Sequence, residues 1–137
     1  MSSLPARSDL PTIDAHSQPY WEAASQGRLL VARCGSCGRA HHYPRPFCPH
    51  CWSDDVAAEE ASGGATLYTY STVFMNDLAP FRDRLPYIAA VVDLDEGPRL
   101  VTNIVGAEPD QLALGMRLQV DFRALTDDVS VPVFRPA

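Results

Sequence analysis

Apolar residues follow two different periods along this chain. Tyr20, Trp21 and Ala24 fall at i, i+1 and i+4, the spacing of one helical face. Ser17 as a cap, Pro19 near the start and Gly27 as a stop frame a helix over Pro19 to Gln26. Arg28 to Arg33 reads as a short strand. From Thr66 onward the pattern is that of strands. Thr66 to Phe74 is rich in β-branched and aromatic residues, and Tyr87 to Leu94 is almost continuously apolar. Asp95-Glu96-Gly97-Pro98 makes a turn, and Arg99 to Val105 returns as the hairpin partner. Pro109 to Leu114 fits one helical turn stopped by Gly115. Arg117 to Arg123 alternates, with Leu118, Val120 and Phe122 on one face. Val129 to Phe134 contains Pro132, which predicts an edge strand. Five strands in residues 62–137 fit a small barrel better than a sandwich.

Residues 34–51 interrupt these periods. Pro44, Pro46, Pro49, Gly35 and Gly38 argue against regular structure there, and all four cysteines lie in this stretch. Cys34-Gly35-Ser36-Cys37 and Cys48-Pro49-His50-Cys51 are two Cys-x-x-Cys pairs. A two-residue gap lets both sulfurs of one turn reach one ion, and four thiolates close the tetrahedral shell of a structural zinc site. Two disulfides are the competing reading, disfavoured in a reducing compartment. Redox catalysis would need a βαβ setting around the second pair, and none is visible. A four-cysteine shell has no open position for catalysis and leaves His41, His42 and His50 outside it. Residues 52–65 are acidic and small, and Ser62-Gly63-Gly64 reads as a turn or linker.

Charge narrows the function. Eleven arginines, no lysine and seventeen acidic residues give a net charge of −6. Nucleic-acid backbones and anionic membranes both select clustered positive charge, so neither is an expected partner. Tyr68, Tyr70 and Phe74 could stack bases on one side of their strand, but burial in the core is the simpler expectation. No apolar run approaches the ~20 residues of a membrane span. Met1 to Ser17 has no apolar signal core and reads as a loose arm, so the expected location is cytoplasmic. No nucleophile–base set and no glycine-rich phosphate loop can be assembled. Arginines at 28, 33, 39 and 45 make the cysteine region locally positive.

The order of motifs resembles a known family. Tyr20-Trp21-Glu22, Gly27-Arg28-Leu29-Leu30, both cysteine pairs, Tyr43-Pro44-Arg45-Pro46-Phe47, Ser62-Gly63, Pro86-Tyr87-Ile88, Leu94-Asp95-Glu96-Gly97-Pro98-Arg99-Leu100, Gly115-Met116 and Pro132-Val133-Phe134-Arg135-Pro136 carry the likeness. Together they are similar to the acyl-CoA-associated zinc-ribbon/OB-fold family catalogued as domain of unknown function 35. Ala57-Ala58-Glu59 stand where that family often has a tryptophan, and Ser62-Gly63-Gly64-Ala65 replaces its Ser-Gly-x-Gly.

The resemblance implies a mainly β protein: an arm and helix over 1–27, a rubredoxin-like zinc ribbon over 28–61, and a five-stranded OB barrel over 62–137. It implies zinc on Cys34, Cys37, Cys48 and Cys51. It also implies a non-catalytic auxiliary subunit of a thiolase-like or aldolase acyl-CoA complex, as in lipid or steroid side-chain metabolism. A stand-alone acyl-CoA-binding protein and a nucleic-acid OB module are the alternatives. The expected docking surface includes the barrel and the C-terminal edge, with Val131, Val133 and Phe134. Arg45, Arg82 and Arg84 are the expected contacts to CoA phosphates or acidic groups.

Overall fold

The computed structural model describes residues 9–137. Residues 1–8, the start of the expected arm, lie outside the described residues. One helix, α1 (Gln18–Ser25), is followed by strands β1 (Leu30–Cys34), β2 (Ala40–His41) and β3 (Val56–Glu60) of the ribbon. The barrel strands are β4 (Gly64–Val73), β5 (Tyr87–Leu94), β6 (Arg99–Ile104), β7 (Arg117–Ala124) and β8 (Ser130–Pro136). Short 3₁₀ turns at Phe81–Arg84 and Pro109–Gln111 interrupt two of the loops.

The start of α1 is organised by Asp14 as much as by Ser17. The Asp14 carboxylate accepts the backbone N–H groups of His16 and Ser17, and the Ser17 hydroxyl accepts that of Asp14. Ser17 makes no side-chain cap to the helix itself. These bonds, the Ser17 N–H foremost, hold the Asp14 carboxyl below its usual range.

The ribbon is more regular than its prolines suggest. It is a three-stranded antiparallel sheet in the order β2-β1-β3. The small, acidic stretch before Ser62 contains β3, which runs the whole length of β1 from Cys34 opposite Val56 to Leu30 opposite Glu60. The two strands are laced by Arg33–Glu59 and Arg28–Glu60 ion pairs. Their small, acidic composition is therefore a pairing surface and not a disordered spacer.

The barrel closes in the order β4-β5-β6-β8-β7, with β7 paired back to β4. This is the five-stranded Greek-key order of an OB fold. Strict alternation along β5 sends Ile88, Ala90, Val92 and Leu94 inward. A bulge between Leu67 and Thr69 breaks the alternation of β4. Tyr70 therefore packs on the core, while Tyr68 is thrown outward beneath the Arg99 guanidinium, 3.7 Å from its ring. Phe74 lies beyond the strand and is 76% exposed. The three aromatics thus do not share one side.

The C-terminal strand departs most from expectation. Far from forming an edge, β8 pairs antiparallel with β7 from Ala124 opposite Ser130 to Leu118 opposite Pro136. It also meets β6 in parallel at Ile104–Phe134. Pro132 is tolerated because the β6–β8 seam is short: its carbonyl accepts the Thr102 hydroxyl at 3.1 Å instead of joining a long ladder. Val133 and Phe134 are buried in the core and Val131 is half-buried.

One apolar core runs through both parts. Tyr20, Trp21 and Ala24 of α1 and Leu29 and Val31 of the ribbon join Leu67, Val92, Leu118 and Phe134 of the barrel. The junction is held by the β5–β6 hairpin. Glu96 accepts the Ser62 N–H at 2.9 Å, Asp95 N–H donates to the Gly64 carbonyl, and Arg117 forks onto Asp95 at 2.7 and 2.8 Å. Gly63 and Gly64 make this possible. A Cβ on Gly63, whose φ is +88°, would lie 2.5 Å from Val120 Cγ1; one on Gly64 would lie 2.4 Å from Asp95 Oδ2. Gly63→Ala is expected to cost roughly 2–4 kcal/mol, the sum of left-handed strain and overpacking. Urea unfolding of the variant checks this, and an unchanged midpoint contradicts it.

Candidate metal centre and surrounding sites

The turns after β1 and before β3 bring the two cysteine pairs face to face. Cys34 Sγ lies 3.6 Å from Cys51 Sγ and Cys37 Sγ lies 3.7 Å from Cys48 Sγ. All four sulfurs fall within 4.8 Å of one another. Zinc–thiolate bonds of about 2.3 Å separate tetrahedral sulfurs by about 3.8 Å, so the donor set fits zinc. Backbone N–H groups of Ser36 and Cys37 point at Cys34 Sγ, and that of His50 points at Cys48 Sγ. Such donors stabilise thiolate charge.

Without a cation Cys34 and Cys51 are shifted in opposite directions. Cys34 is drawn down, chiefly by the Cys37 N–H. Cys51 is pushed up: the Ser53 N–H lowers it, but the neighbouring sulfurs and burial outweigh that bond. Four thiolates coexist here only around a dication. Cys34 and Cys48 are buried and Cys37 and Cys51 exposed, so one side of the centre meets solvent.

The histidines lie outside the sulfur cluster. His41 is buried with neither ring nitrogen hydrogen-bonded, and burial, with Arg45 and His50 nearby, lowers its pKa. His42 belongs to an aromatic network that ties the helix to the ribbon. The Tyr20 hydroxyl bonds His42 Nε2 at 2.8 Å, Trp21 Nε1–H donates to the Tyr43 hydroxyl, and the Tyr20 ring meets Trp21, His42 and Tyr43 edge-on at 5.0–5.2 Å. Burial holds His42 down to about 4 and pushes the Tyr20 phenol up. Sequence periodicity identified Tyr20 and Trp21 as apolar but gave no sign of their polar partners 22 residues on.

The expected arginines do not form one site. Arg45 stands at a cavity of about 400 Å³ between α1 and the ribbon sheet, lined also by His16, Pro19, Leu30, Val56 and Ala58. Arg82 and Arg84 belong to the 3₁₀ turn on the β4–β5 loop. Arg82 is exposed, whereas Arg84 is half-buried and pairs with Asp9 at 3.0 Å. Val133 and Phe134 are core residues, so the C-terminal strand offers no free apolar edge. Exposed apolar side chains lie elsewhere, among them Phe74, Met75 and Leu78 on the β4–β5 loop, Val101 on the outer face of β6, Trp52 after the second cysteine pair and Leu114 before β7. Those on the barrel were legible as apolar residues, but their outward placement depends on the β4 bulge and the barrel's register.

A metal-closed ribbon and an OB barrel sharing one core define a zinc-ribbon/OB-fold protein. Residues 21–57 match the ChsH2 rubredoxin-like zinc ribbon domain, and residues 58–123 match the ChsH2 C-terminal OB-fold domain. A DUF35 domain-containing scaffold protein of Methanocaldococcus jannaschii is 34% identical over 73% of this chain and 71% of its own length. The chain belongs to the DUF35 family. A probable enoyl-CoA hydratase alpha subunit of Thermomonospora curvata is 40% identical over 93% of this chain. The match spans 39% of that relative's length. Among solved structures, a chain of the Ltp2–ChsH2(DUF35) aldolase superposes with a TM-score of 0.81 at 39% identity, covering 93% of this chain and 98% of that one. A DUF35-family protein from Sulfolobus solfataricus shares the fold, with a TM-score of 0.62 at 16% identity over 88% of this chain and 84% of its own.

Two measurements follow. Purified protein is expected to carry one zinc per chain. Cys48→Ser should be metal-free and lose amide protection in β1–β3, since a structural zinc contributes on the order of 10 kcal/mol to folding. A metal-free variant with a protected ribbon contradicts this. The His42 ring, followed by proton NMR, should stay neutral on acidification until about pH 4. Because its folded pKa is depressed below the usual 6.5, its contribution to stability is present above pH 6.5 and is lost as pH falls toward 4. Titration near 6.5 contradicts burial of the ring.

Proposed function

We propose that this chain is a non-catalytic, zinc-stabilised subunit that docks on a CoA-thioester enzyme of the thiolase-like or aldolase type and completes or stabilises its active site. The observation that carries this reading is the 39% identity and 0.81 TM-score to nearly the whole of a chain in the Ltp2–ChsH2(DUF35) aldolase. The scaffold-protein and hydratase-subunit names of other relatives point the same way. Zinc on Cys34, Cys37, Cys48 and Cys51 folds residues 28–61 as a rigid module and takes no part in turnover, because a four-thiolate shell leaves no open position.

The chemistry of the surface supports a protein partner. OB folds bind through the face of their second and third strands and the loop joining the first two. Here these are β5, β6 and residues 74–86. The outward positions Ala89, Val91 and Val101 are aliphatic, and Val101, Phe74 and Met75 are 78%, 76% and 80% exposed. Such a surface suits an apolar protein interface and lacks the cationic groove that tracks a nucleic-acid backbone. We therefore place the docking surface on this face instead of the C-terminal strand.

Co-expression with a thiolase-like or aldolase protein encoded beside it tests the reading. The two should co-elute on size exclusion. Val101→Glu and Phe74→Glu should each abolish co-elution and leave zinc bound. Failure of the wild type to co-elute overturns the partner; co-elution of both variants overturns the surface. Salt-sensitive, micromolar binding to single-stranded DNA at ~150 mM salt would favour the nucleic-acid alternative.

A further inference from the structure

The ribbon sheet ends on an open edge. In the order β2-β1-β3, β3 has β1 on one side, and no strand among the described residues lies on the other. The bonds that flank the β1–β3 pairing give its phase. Gly35 N–H donates to the Asp55 carbonyl at 2.7 Å, and Ala61 N–H donates to the Leu29 carbonyl at 2.8 Å. Both continue the odd-numbered pairs of one antiparallel register, so Val31 bonds Glu59 and Arg33 bonds Ala57. The even-numbered residues of β3 therefore turn their backbone groups away from β1. The Val56 N–H is taken by the Asp54 carbonyl at 3.0 Å. The N–H groups of Ala58 and Glu60, both exposed, and the carbonyls of Val56, Ala58 and Glu60 face outward. Such a row of unmet donors and acceptors is a template for a further strand.

Both faces of β3 are open beside this edge. On one face, Leu30, Ala32, Val56 and Ala58 floor the cavity of about 400 Å³ between α1 and the ribbon sheet. Arg45 and Asp54 give that cavity one charge of each sign, over a floor of small aliphatic side chains. On the other face, a recess of about 370 Å³ is lined by Arg33, Asp55, Ala57 and Glu59. Arg33 is engaged by Glu59 at 2.9 Å, and Asp55 has no ion pair among the described residues. An added strand sends alternate side chains to the two faces. One set meets an aliphatic floor and the other meets an unpaired carboxylate. Charge also selects the occupant. Two β3 edges brought together would set Asp54, Asp55, Glu59 and Glu60 of one copy against the same four of the other, so a second copy is disfavoured.

We infer that the outer edge of β3 is a docking site for an extended segment of another protein. That segment is aliphatic at the alternate positions that face Leu30, Ala32, Val56 and Ala58, and it carries a lysine or arginine on its other face, toward Asp55. Backbone bonds to Ala58 and Glu60 hold it, and the two recesses select its side chains. The site lies on the ribbon and not on the barrel face of β5 and β6, so it does not rest on the reading of the enzyme partner.

NMR titration of the zinc-loaded full chain tests this, with the synthetic peptide Thr-Val-Lys-Val-Lys-Val-Thr as the probe. The amides of residues 56–60 should shift, and those of Ala58 and Glu60 should exchange more slowly with solvent. Methylating the peptide nitrogens at alternate residues, in one phase or the other, should weaken binding roughly ten-fold, because the bonds to β3 are lost. Ala58→Pro should do the same, since proline there removes an outward N–H and no bond to β1. Should that variant disturb the ribbon, the methylated peptides make the same test on unaltered protein. Replacing both peptide lysines by glutamate should weaken binding several-fold, and Asp55→Asn should shrink that difference. The proposal is overturned if the amides of residues 56–60 do not respond at millimolar peptide, or if both methylated forms bind as well as the parent. Equal binding of the glutamate form overturns the charge assignment. Shifts in β3 that follow protein concentration alone would identify a second copy as the occupant and overturn the foreign segment.

Discussion

The architecture depends on a close backbone crossing at Gly63 and Gly64. There the chain leaves the ribbon, passes against Val120 of β7 and enters β4 beneath the Arg117–Asp95 pair. A side chain at Gly63 would press on Val120 and Gln119, and one at Gly64 on the Asp95–Arg117 pair, so both positions are kept bare. The β5–β6 hairpin reinforces the crossing from the other side: Asp95 and Glu96 bind the backbone of residues 62–64, and Arg99 turns back onto Asp93 and Tyr68. The Leu-Asp-Glu-Gly-Pro-Arg segment is thus a clamp on the junction as well as a turn.

This crossing makes ribbon and barrel one body. Leu29 and Val31 leave the ribbon's sheet to enter the same apolar core as Leu118 and Phe134, with Tyr20 and Trp21 of the helix between them. The metal centre acts at the far end of β1, where Cys34 follows directly on the strand. Zinc there fixes the two knuckles and, through Cys34, the β1–β3 sheet that packs on the helix. A rigid, metal-closed module on a closed barrel can present a fixed surface to a partner.

Much of this was legible in the residues. A near-continuous apolar run located β5, period-two alternation located β7, the paired cysteines defined the metal centre, and motif order identified the family. The errors share one physical cause: local pattern does not reveal which strands become neighbours. Pro132 reads as an edge residue, yet barrel closure places its strand between β7 and β6, where a short seam spares it a full ladder. The alanines and glutamates at 57–60 showed no strand pattern because their partners, Arg28 just before β1 and Arg33 within it, lie about thirty residues earlier. A single-residue bulge turned Tyr70 onto the core and so separated it from Tyr68. Arg84 was noticed as a charge, but its partner Asp9, 75 residues earlier, could be joined to it only in three dimensions.

The central claim is that an enzyme partner covers the outer face of β5 and β6 and the loop at 74–78. Hydrogen–deuterium exchange on the purified complex, compared with the free chain, reads that face directly. The account predicts new protection in residues 74–82 and 99–104, with the zinc ribbon unchanged. Protection confined to the ribbon, with residues 74–82 and 99–104 exchanging as in the free chain, would contradict it.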